Sequence, residues 1–219
     1  MFGRIARCYD VNNRLHSLWR DQSWRRAAVR AALLRPGDSV LDVACGTGDL
    51  AGLFSRGGAG RVVGVDFCGE MLRIARRKFP GGAIEWVRGD AMSLPCGDGE
   101  FDVASIAFGI RNVADPARVL AECFRALKSG GRLVVLEFDR PRGAVVGRAV
   151  RFYLDRILPR TAAAIARDRW GAYDYLRDSV KGFMTAEQLA DAIRRAGFDP
   201  VATRRLTLGI AALHRGQKP

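Results

Sequence analysis

The sequence predicts an α/β fold with a mostly parallel sheet that ends in an antiparallel hairpin. First, an apolar segment at residues 40–43 leads straight into a turn with glycines at 46 and 48. Second, strand-length apolar segments alternate with helix-length amphipathic segments up to residue 138, and such alternation makes parallel strands with right-handed crossovers. Third, strand-like segments 201–206 and 210–215 are too close in sequence for a crossover, so they form a hairpin.

Each element has a local reason in the sequence. Residues 2–34 place apolar side chains on one helical face, and helix 69–79 does so with Met71, Leu72 and Ala75. Proline at the first turn favours a helix over 117–127, and Thr185 is the expected cap of helix 186–196. The other predicted elements are strands 61–66, 84–88, 101–107 and 132–138 and a helix that begins at Asp49.

Length and composition predict one domain over residues 1–219, with an N-terminal helical cap at 1–35 and a basic helical insertion, or lid, at 140–183. The five cysteines are widely spaced without a C-x-x-C, so we expect neither a disulfide framework nor a metal site. No signal-peptide pattern and no spanning apolar segment is evident, and we therefore expect a cytoplasmic protein.

The net charge of +13 raises the question of nucleic-acid binding. However, residues 140–169 hold eight Arg against two Asp, and aromatic side chains are not interleaved with these charges as in a stacking platform. Arg148, Arg151 and Arg156 lie outside the apolar stripe of a predicted helix. We expect no nucleic-acid partner, and interpret the segment as a lid, a membrane-surface contact, or a helix packed with its basic face in solvent.

The turn after the first strand indicates a nucleotide-like cofactor. Residues 46–51 formally satisfy G-x-G-x-x-G/A, the dinucleotide fingerprint. Asp42 lies just ahead of the glycines and would face a pyrophosphate at an electrostatic cost, whereas S-adenosylmethionine (SAM) carries a sulfonium and an ammonium instead. The residues favour SAM, with a dinucleotide or a purely structural turn as alternatives.

Ligands of parallel sheets bind beyond the carboxyl ends of the strands. Asp42, Gly46, Asp66 and Asp90 all fall there and are expected around one crevice, with Gly48 allowing the tight turn. Asp66 is suited to both ribose hydroxyls, and Asp90 with the Ala91 N–H to the adenine edge. A helix N-cap for Asp66 and a plain turn for Asp90 are the structural alternatives.

Arg111 and Asn112 follow the fourth predicted strand, whose end should lie closest to the reacting atoms. They form a candidate substrate clamp, with a solvent-exposed loop as the alternative.

The sequence resembles the quinone C-methyltransferases of menaquinone and ubiquinone biosynthesis over almost its whole length. The matching segments are Tyr9-Asp10 with Asn13, residues 41–49, Phe108-Gly109-Ile110-Arg111-Asn112-Val113, residues 127–133, 136–138, 173–176 and 206–216. The resemblance implies a class I methyltransferase (Rossmann-like) fold with a seven-stranded sheet, and SAM contacts at Thr47, Asp66, Asp90 and Ala91. A family serine is Ala107 here, and Trp19, Asp21 and Cys96 also depart from the family pattern.

The resemblance further implies methyl transfer to a ring carbon of a polyprenylated quinol, either demethylmenaquinol or 2-methoxy-6-polyprenyl-1,4-benzoquinol. Arg111 is expected to pair with the phenolate, Asn112 to hold a water, and Tyr9 to orient the quinol. A substrate in the bilayer gives a reason for transient membrane contact. A methyltransferase of RNA, DNA or another small molecule, a NAD-dependent oxidoreductase and a non-catalytic SAM-binding protein stay open as rival functions. The oligomeric state, including a homodimer, also stays open.

Overall fold

A computed structural model describes residues 20–141 and 178–219 of the chain. Tyr9, residues 1–19 of the predicted cap and most of the basic insertion, including Arg148, Arg151 and Arg156, lie outside these ranges. The strands are β1 (Ser39–Val43), β2 (Arg61–Asp66), β3 (Glu85–Arg88), β4 (Phe101–Ala107), β5 (Leu127–Phe138), β6 (Val201–Leu206) and β7 (Ala211–Gln217). The longer α-helices within the described ranges are α1 (Arg20–Ala31), α2 (Asp49–Arg56), α3 (Gly69–Lys78), α4 (Pro116–Ala126) and α5 (Ala186–Arg195).

The seven strands form one sheet in the order β3-β2-β1-β4-β5-β7-β6. The first five strands pair in parallel, while β7 is antiparallel to both β5 and β6. The predicted fold class and the closing hairpin are therefore confirmed. The strand order reverses between the neighbouring strands β1 and β4, which is where open α/β sheets bind ligands.

Most predicted boundaries differ from the observed ones by one or two residues, but β5 begins at Leu127 instead of residue 132. Residues 128–131 read as a turn in the sequence because they include two glycines. The pairing register with β4 shifts there, between Phe101 and Val103. The Gly130 N–H donates to Lys218 O at 2.9 Å and the Lys218 N–H donates to Gly131 O at 2.8 Å, so the C-terminal end of the chain holds this segment.

Apolar side chains form a core on each face of the sheet. On one face, side chains of β1, β4 and β5 pack against α4 and α5, with Leu41, Leu120 and Ile193 fully buried. On the other face, Trp24 of α1 and Phe54 of α2 pack over Val40 and Val103. Because alternate residues of a strand point to opposite faces, Asp42 lies on the same face as Val40, under α1 and α2.

Helix caps follow the sequence signals. The Asp115 side chain accepts from the Arg118 N–H at 3.1 Å, with Pro116 at the start of α4. Thr185 and Gln188 form a reciprocal capping box at the start of α5, which satisfies two backbone donors. Within the described ranges, no helix is long and apolar enough to cross a membrane.

Candidate active site

Two adjoining cavities open at the carboxyl ends of the parallel strands. The larger has a volume of about 370 Å³ and includes Asp66, Asp90 and Asn112 in its lining. The smaller, of about 30 Å³, lies between α1, β1 and α2. Ala44, Gly46 and Ala107 line both, so the cavities meet above β1 and β4.

Left-handed backbone at the ends of β1 and β4 shapes the common wall. Ala44 has φ 52° and Phe108 has φ 57°, a conformation that costs a non-glycine residue about 1–2 kcal/mol. The two turns also approach closely, since a Cβ on Gly109 would lie 2.7 Å from the Ala44 Cβ. Such strain is found where a binding site requires a particular backbone path.

Asp66 ties the glycine turn to the end of β2. Its Oδ2 accepts from the Gly46 N–H at 2.7 Å and its Oδ1 accepts from the Cys68 N–H at 2.8 Å. Burial raises its pKa, and these two backbone donors work in the opposite direction. The N-cap of α3 is Cys68, so Asp66 is not the cap residue. A carboxylate has about four acceptor positions, which leaves Asp66 the capacity to accept from a ligand in the larger cavity.

Asp90 and Ala91 line the larger cavity together with Asp66. Asp90 Oδ1 accepts from the Met92 N–H at 2.9 Å, and the Asp90 carbonyl accepts from Ser93 at 3.1 Å. The acid therefore stabilises its own turn, as the structural alternative expected, and also lines the cavity. Asn112 lines the same cavity, and its Nδ2 donates to Phe108 O at 3.3 Å.

Phe67 adds an aromatic surface that sequence reasoning missed. It lines the larger cavity, yet 72% of its surface is exposed. A phenyl ring exposed next to hydrogen-bonding groups suits a flat heteroaromatic ligand. Its position directly after the acid at the end of β2 was the available signal.

Asp42 lines the smaller cavity, whereas Asp66 and Asp90 line the larger one, which adjoins it along Ala44, Gly46 and Ala107. The reason is its place one residue before the end of β1, on the face covered by α1 and α2. Its Oδ1 accepts from Ser105 Oγ at 2.7 Å, while its buried Oδ2 has no partner among the described residues. Burial raises the pKa of Asp42 to about 7, although Ser105 and the charge of Arg25 oppose this.

Arg25 of α1 lines the small cavity. Like Phe67 in the larger cavity, it was missed by sequence reasoning. It is buried, its Nη1 donates to Asp21 at 2.7 Å, and its guanidinium lies 5.3 Å from the Phe108 ring centroid. A single Arg among many in a basic sequence carries no signal of its own. Only the packing of α1 over β1 brings Arg25 to Asp42.

The remaining walls come from the glycine turn and α2. Thr47 is buried in the small cavity, and Asp49 pairs with Lys78 and accepts from Gln22 at 3.0 Å. Burial opposes the ionisation of Asp49, but Arg25, Lys78 and Gln22 outweigh it and lower its pKa. Gly48 is the left-handed N-cap of α2 with φ 82°, and it packs against Trp86 instead of lining either cavity described here.

Arg111 does not face the cavities as the predicted substrate clamp requires. Its Nη1 donates to Glu137 Oε1 at 2.7 Å and to Phe108 O at 2.7 Å, and its guanidinium lies 5.2 Å from the Phe138 ring centroid. The physical reason is Glu137, a carboxylate only 1% exposed on β5, which needs a countercharge in the core. In the sequence, the available signal for this ion pair was Glu137, a charged residue within an apolar strand.

His214 lies inside the sheet and not at either cavity. Its Nδ1 is 2.9 Å from Thr203 Oγ1, and burial lowers its pKa to about 4. This hydrogen bond gives His214 a structural role between β6 and β7. No group of three or more His, Cys, Asp or Glu in residues 20–141 and 178–219 forms a candidate metal site.

The sheet order, the antiparallel last pair and the cavities at the strand ends define the class I SAM-dependent methyltransferase fold. A crystal structure described as a SAM-dependent methyltransferase from Thermotoga maritima has this fold, with a TM-score of 0.66 and 23% identity over 100% of this chain and 98% of that one. Residues 1–218 match the model of the ubiE/COQ5 methyltransferase family. The chain belongs to that family, which confirms the resemblance seen in the sequence, and its cofactor is SAM.

Two curated relatives illustrate the similarity. The chain is 45% identical over 222 residues to a demethylmenaquinone methyltransferase of Thermus thermophilus, covering 100% of both chains. It is 41% identical over 224 residues to a ubiquinone/menaquinone biosynthesis C-methyltransferase of Cronobacter sakazakii, covering 100% of this chain and 89% of that one.

The site residues fit SAM on structural grounds. The unpartnered, buried Oδ2 of Asp42 offers an acceptor where a dinucleotide would place a pyrophosphate. Asp49 adds a second carboxylate to the same cavity. Lys78 and Gln22 compensate Asp49, so the open oxygen of Asp42 is what disfavours a dianionic ligand there and favours a ligand that donates a hydrogen bond.

Proposed function

We propose that this enzyme methylates a ring carbon of a polyprenylated quinol, with demethylmenaquinol as the substrate. The observation that carries the proposal is the full-length similarity, at 45% identity, to a protein named demethylmenaquinone methyltransferase. The ubiquinone/menaquinone enzyme at 41% identity supports 2-methoxy-6-polyprenyl-1,4-benzoquinol as a second substrate of the same chemical class.

The overall reaction exchanges a ring C–H for a C–CH3 bond and releases S-adenosylhomocysteine and a proton. SAM supplies an electrophilic methyl group when bound. A ring carbon is most nucleophilic when the neighbouring hydroxyl has lost its proton, and for a phenol of pKa about 10 that costs about 4 kcal/mol at pH 7. The apolar walls formed by Val65, Met71 and Val113 reduce competition from water and strengthen polar contacts to that oxygen.

For the reacting end of the site we propose separate roles for Arg111 and Asn112. Asn112 lines the larger cavity, which supports a direct contact with substrate or with a water that accepts the proton. Arg111, held by Glu137 and Phe108 O, supports the turn that carries Asn112. It is therefore proposed as a positioning residue and not as the phenolate partner. Tyr9, outside the described residues, is kept as a proposed quinol contact on the family resemblance.

We further propose binding contacts for the nucleoside part of SAM. Asp66 accepts from the ribose hydroxyls, and Asp90 and Ala91 meet the adenine edge. Support comes from the shared lining of one cavity large enough for a nucleoside and from the open acceptor positions of Asp66.

The test is incubation of the full chain with methyl-labelled SAM and reduced demethylmenaquinone, beside the methoxy-benzoquinol. We expect label in the naphthoquinol ring, none with the oxidised quinone, and strong loss of labelling for Asp66→Ala. Label in neither ring, with label transferred to added RNA, would contradict the proposal.

We also propose that the enzyme works at the cytoplasmic membrane surface, because the prenyl tail keeps its substrate in the bilayer and the basic residues 140–169 favour anionic lipid. The same assay tests this with quinol in vesicles. Turnover should be higher with anionic than with neutral lipid, and the difference should shrink at high salt. Equal turnover in both would contradict membrane contact.

A further inference from the structure

The turn between β6 and β7 presents an apolar side chain that the fold does not require. The Ile210 N–H donates to Thr207 O at 3.1 Å, and the two central residues, Leu208 and Gly209, have φ values of 57° and 85°. These angles make a type I′ turn, whose first central position favours Asn or Gly. Leu208 takes that position although its side chain is 74% exposed, so neither backbone preference nor packing explains the leucine.

The turn is fixed at the edge of the sheet where both cavities open. The Trp24 Nε1 donates to Thr207 Oγ1 at 2.8 Å, which ties the turn to α1. The Asp139 N–H donates to Ile210 O at 2.9 Å, so the start of β7 lies beside the end of β5. Because β5 runs parallel to β1 and β4, Leu208 is held at the carboxyl ends of the parallel strands.

Positive charge surrounds this turn. The exposed cations that approach it from α1, β5 and β6 are Arg20, Arg140 and Arg204. Arg20 comes four residues before Trp24, and residues at that spacing share one face of a helix. The nearby acids Asp139 and Glu187 both pair with Arg205. The surface around Leu208 is therefore complementary to an anionic partner.

We propose that the turn at residues 207–209 docks on an anionic lipid bilayer, with Leu208 entering the boundary of the acyl chains and the three arginines lying among the headgroups. An apolar residue between cations suits a lipid surface, which offers hydrocarbon and negative charge together. The inference rests on the proposed function, because a prenylated quinol reaches the cavities from the bilayer. It adds which edge of the sheet faces the lipid and which side chain enters it.

The experiment measures sedimentation of the full chain with vesicles of phosphatidylcholine and phosphatidylglycerol, without turnover. Leu208→Asn should weaken vesicle binding by about 10-fold, the effect of no longer burying one leucine side chain. Asn adopts left-handed backbone more readily than Leu, so this variant should fold at least as stably as the unmodified protein. Leu208→Met keeps an apolar side chain and should bind like the unmodified protein.

Leu33→Asn is the matched control. Leu33 is 56% exposed, has φ 49° and lies near the exposed cations Arg30 and Arg35. Its carbonyl accepts from Arg132, which pairs with Asp38 ahead of β1, so Leu33 lies at the opposite edge of the sheet. This variant should leave vesicle binding unchanged.

Turnover separates docking from chemistry. With a water-soluble quinol that lacks the prenyl tail, Leu208→Asn should methylate as fast as the unmodified protein. With prenylated quinol in a low concentration of vesicles, its rate should fall in proportion to vesicle binding.

Distinct outcomes overturn distinct claims. If Leu208→Asn binds vesicles as tightly as the unmodified protein, or if Leu33→Asn loses as much, the inference is wrong while the proposed methylation stands. If Leu208→Asn instead changes the oligomeric state in light scattering, the turn is a contact between copies of the chain and the inference is wrong. If the unmodified protein methylates neither quinol, the proposed function fails, whereas the vesicle measurement still decides the docking.

Discussion

The environment of Asp42 disfavours the ionised form of its carboxyl group. It is 1% exposed, one oxygen has only the Ser105 hydroxyl, and the other has no described partner. Burial therefore raises its pKa from 3.8 to about 7. The folded protein therefore binds a proton at Asp42 more tightly than the unfolded chain does. Asp42 stabilises the fold at low pH, and this contribution is lost as the pH rises towards 7.

Replacing Asp42 with Asn should remove this pH dependence. A shift of about 3 pKa units corresponds to about 4 kcal/mol, and part of it is already lost at pH 5. We expect the free energy of unfolding of Asp42→Asn, relative to the unmodified protein, to rise by about 2–3 kcal/mol between pH 5 and pH 8. Urea unfolding of both proteins at the two pH values measures the change.

Asp102→Asn is the control for this measurement. Partial burial works against its ionisation, but Lys128 and Ser39 hold the pKa of Asp102 at about 2. Its folded and unfolded pKa values both lie below 5, so the stability difference should be flat from pH 5 to 8. A flat difference for Asp42→Asn as well would show that its carboxyl is not held neutral.

At the scale of elements, the glycine turn between β1 and α2 depends on its neighbours in space. Gly46 has φ 57° and Gly48 has φ 82°, and of these two glycines only Gly48 has other atoms within 4 Å of where a Cβ would lie. A Cβ there would lie 2.3 Å from the Trp86 Cη2. The turn is therefore fixed both by its own left-handed backbone and by a ring from β3.

Gly48→Ala should cost more stability than its backbone angle alone explains. We expect a loss of about 3 kcal/mol, the sum of left-handed strain and the collision with Trp86. Gly58→Ala is matched to it, since Gly58 has φ 93° and open space around its Cα, and it should lose about 1 kcal/mol. Equal losses in urea unfolding would mean that Trp86 moves aside without cost.

At the scale of the whole molecule, one buried ion pair connects segments that are distant in the sequence. Arg132 in the middle of β5 pairs with Asp38 ahead of β1, and it also donates to Leu33 O at 3.2 Å. Both members of this pair are only 8% exposed. The pair joins the middle of the sheet to the connection from α1, and removing one member leaves a buried charge.

Arg132→Met should lower the free energy of unfolding by about 3–5 kcal/mol, the usual cost of breaking a buried pair. The matched control is Lys128→Met on the same strand, because Lys128 pairs with Asp102 at 2.8 Å with 47% of its side chain exposed. Its loss should be under about 1 kcal/mol. Similar values for both variants would contradict the importance of burial here.

The sequence by itself determined the order of elements, the closing hairpin and the acids at the strand ends. These depend on short-range patterns, such as the apolar segment 101–107, proline after Asp115 and the glycines at 46 and 48. Predictions from local patterns agree with the folded structure because they depend only on residues that are close in the sequence. That is also why the family could be recognised from contiguous segments.

Only the tertiary structure decided which charges meet. It placed Arg25 beside Asp42, 17 positions along the chain, turned Arg111 towards Glu137, and separated Asp42 from the cavity of Asp66 and Asp90. These outcomes depend on which face of the sheet each helix covers and on which buried charge requires a partner. No local sequence pattern contains this information, because it depends on how segments distant in the sequence pack together.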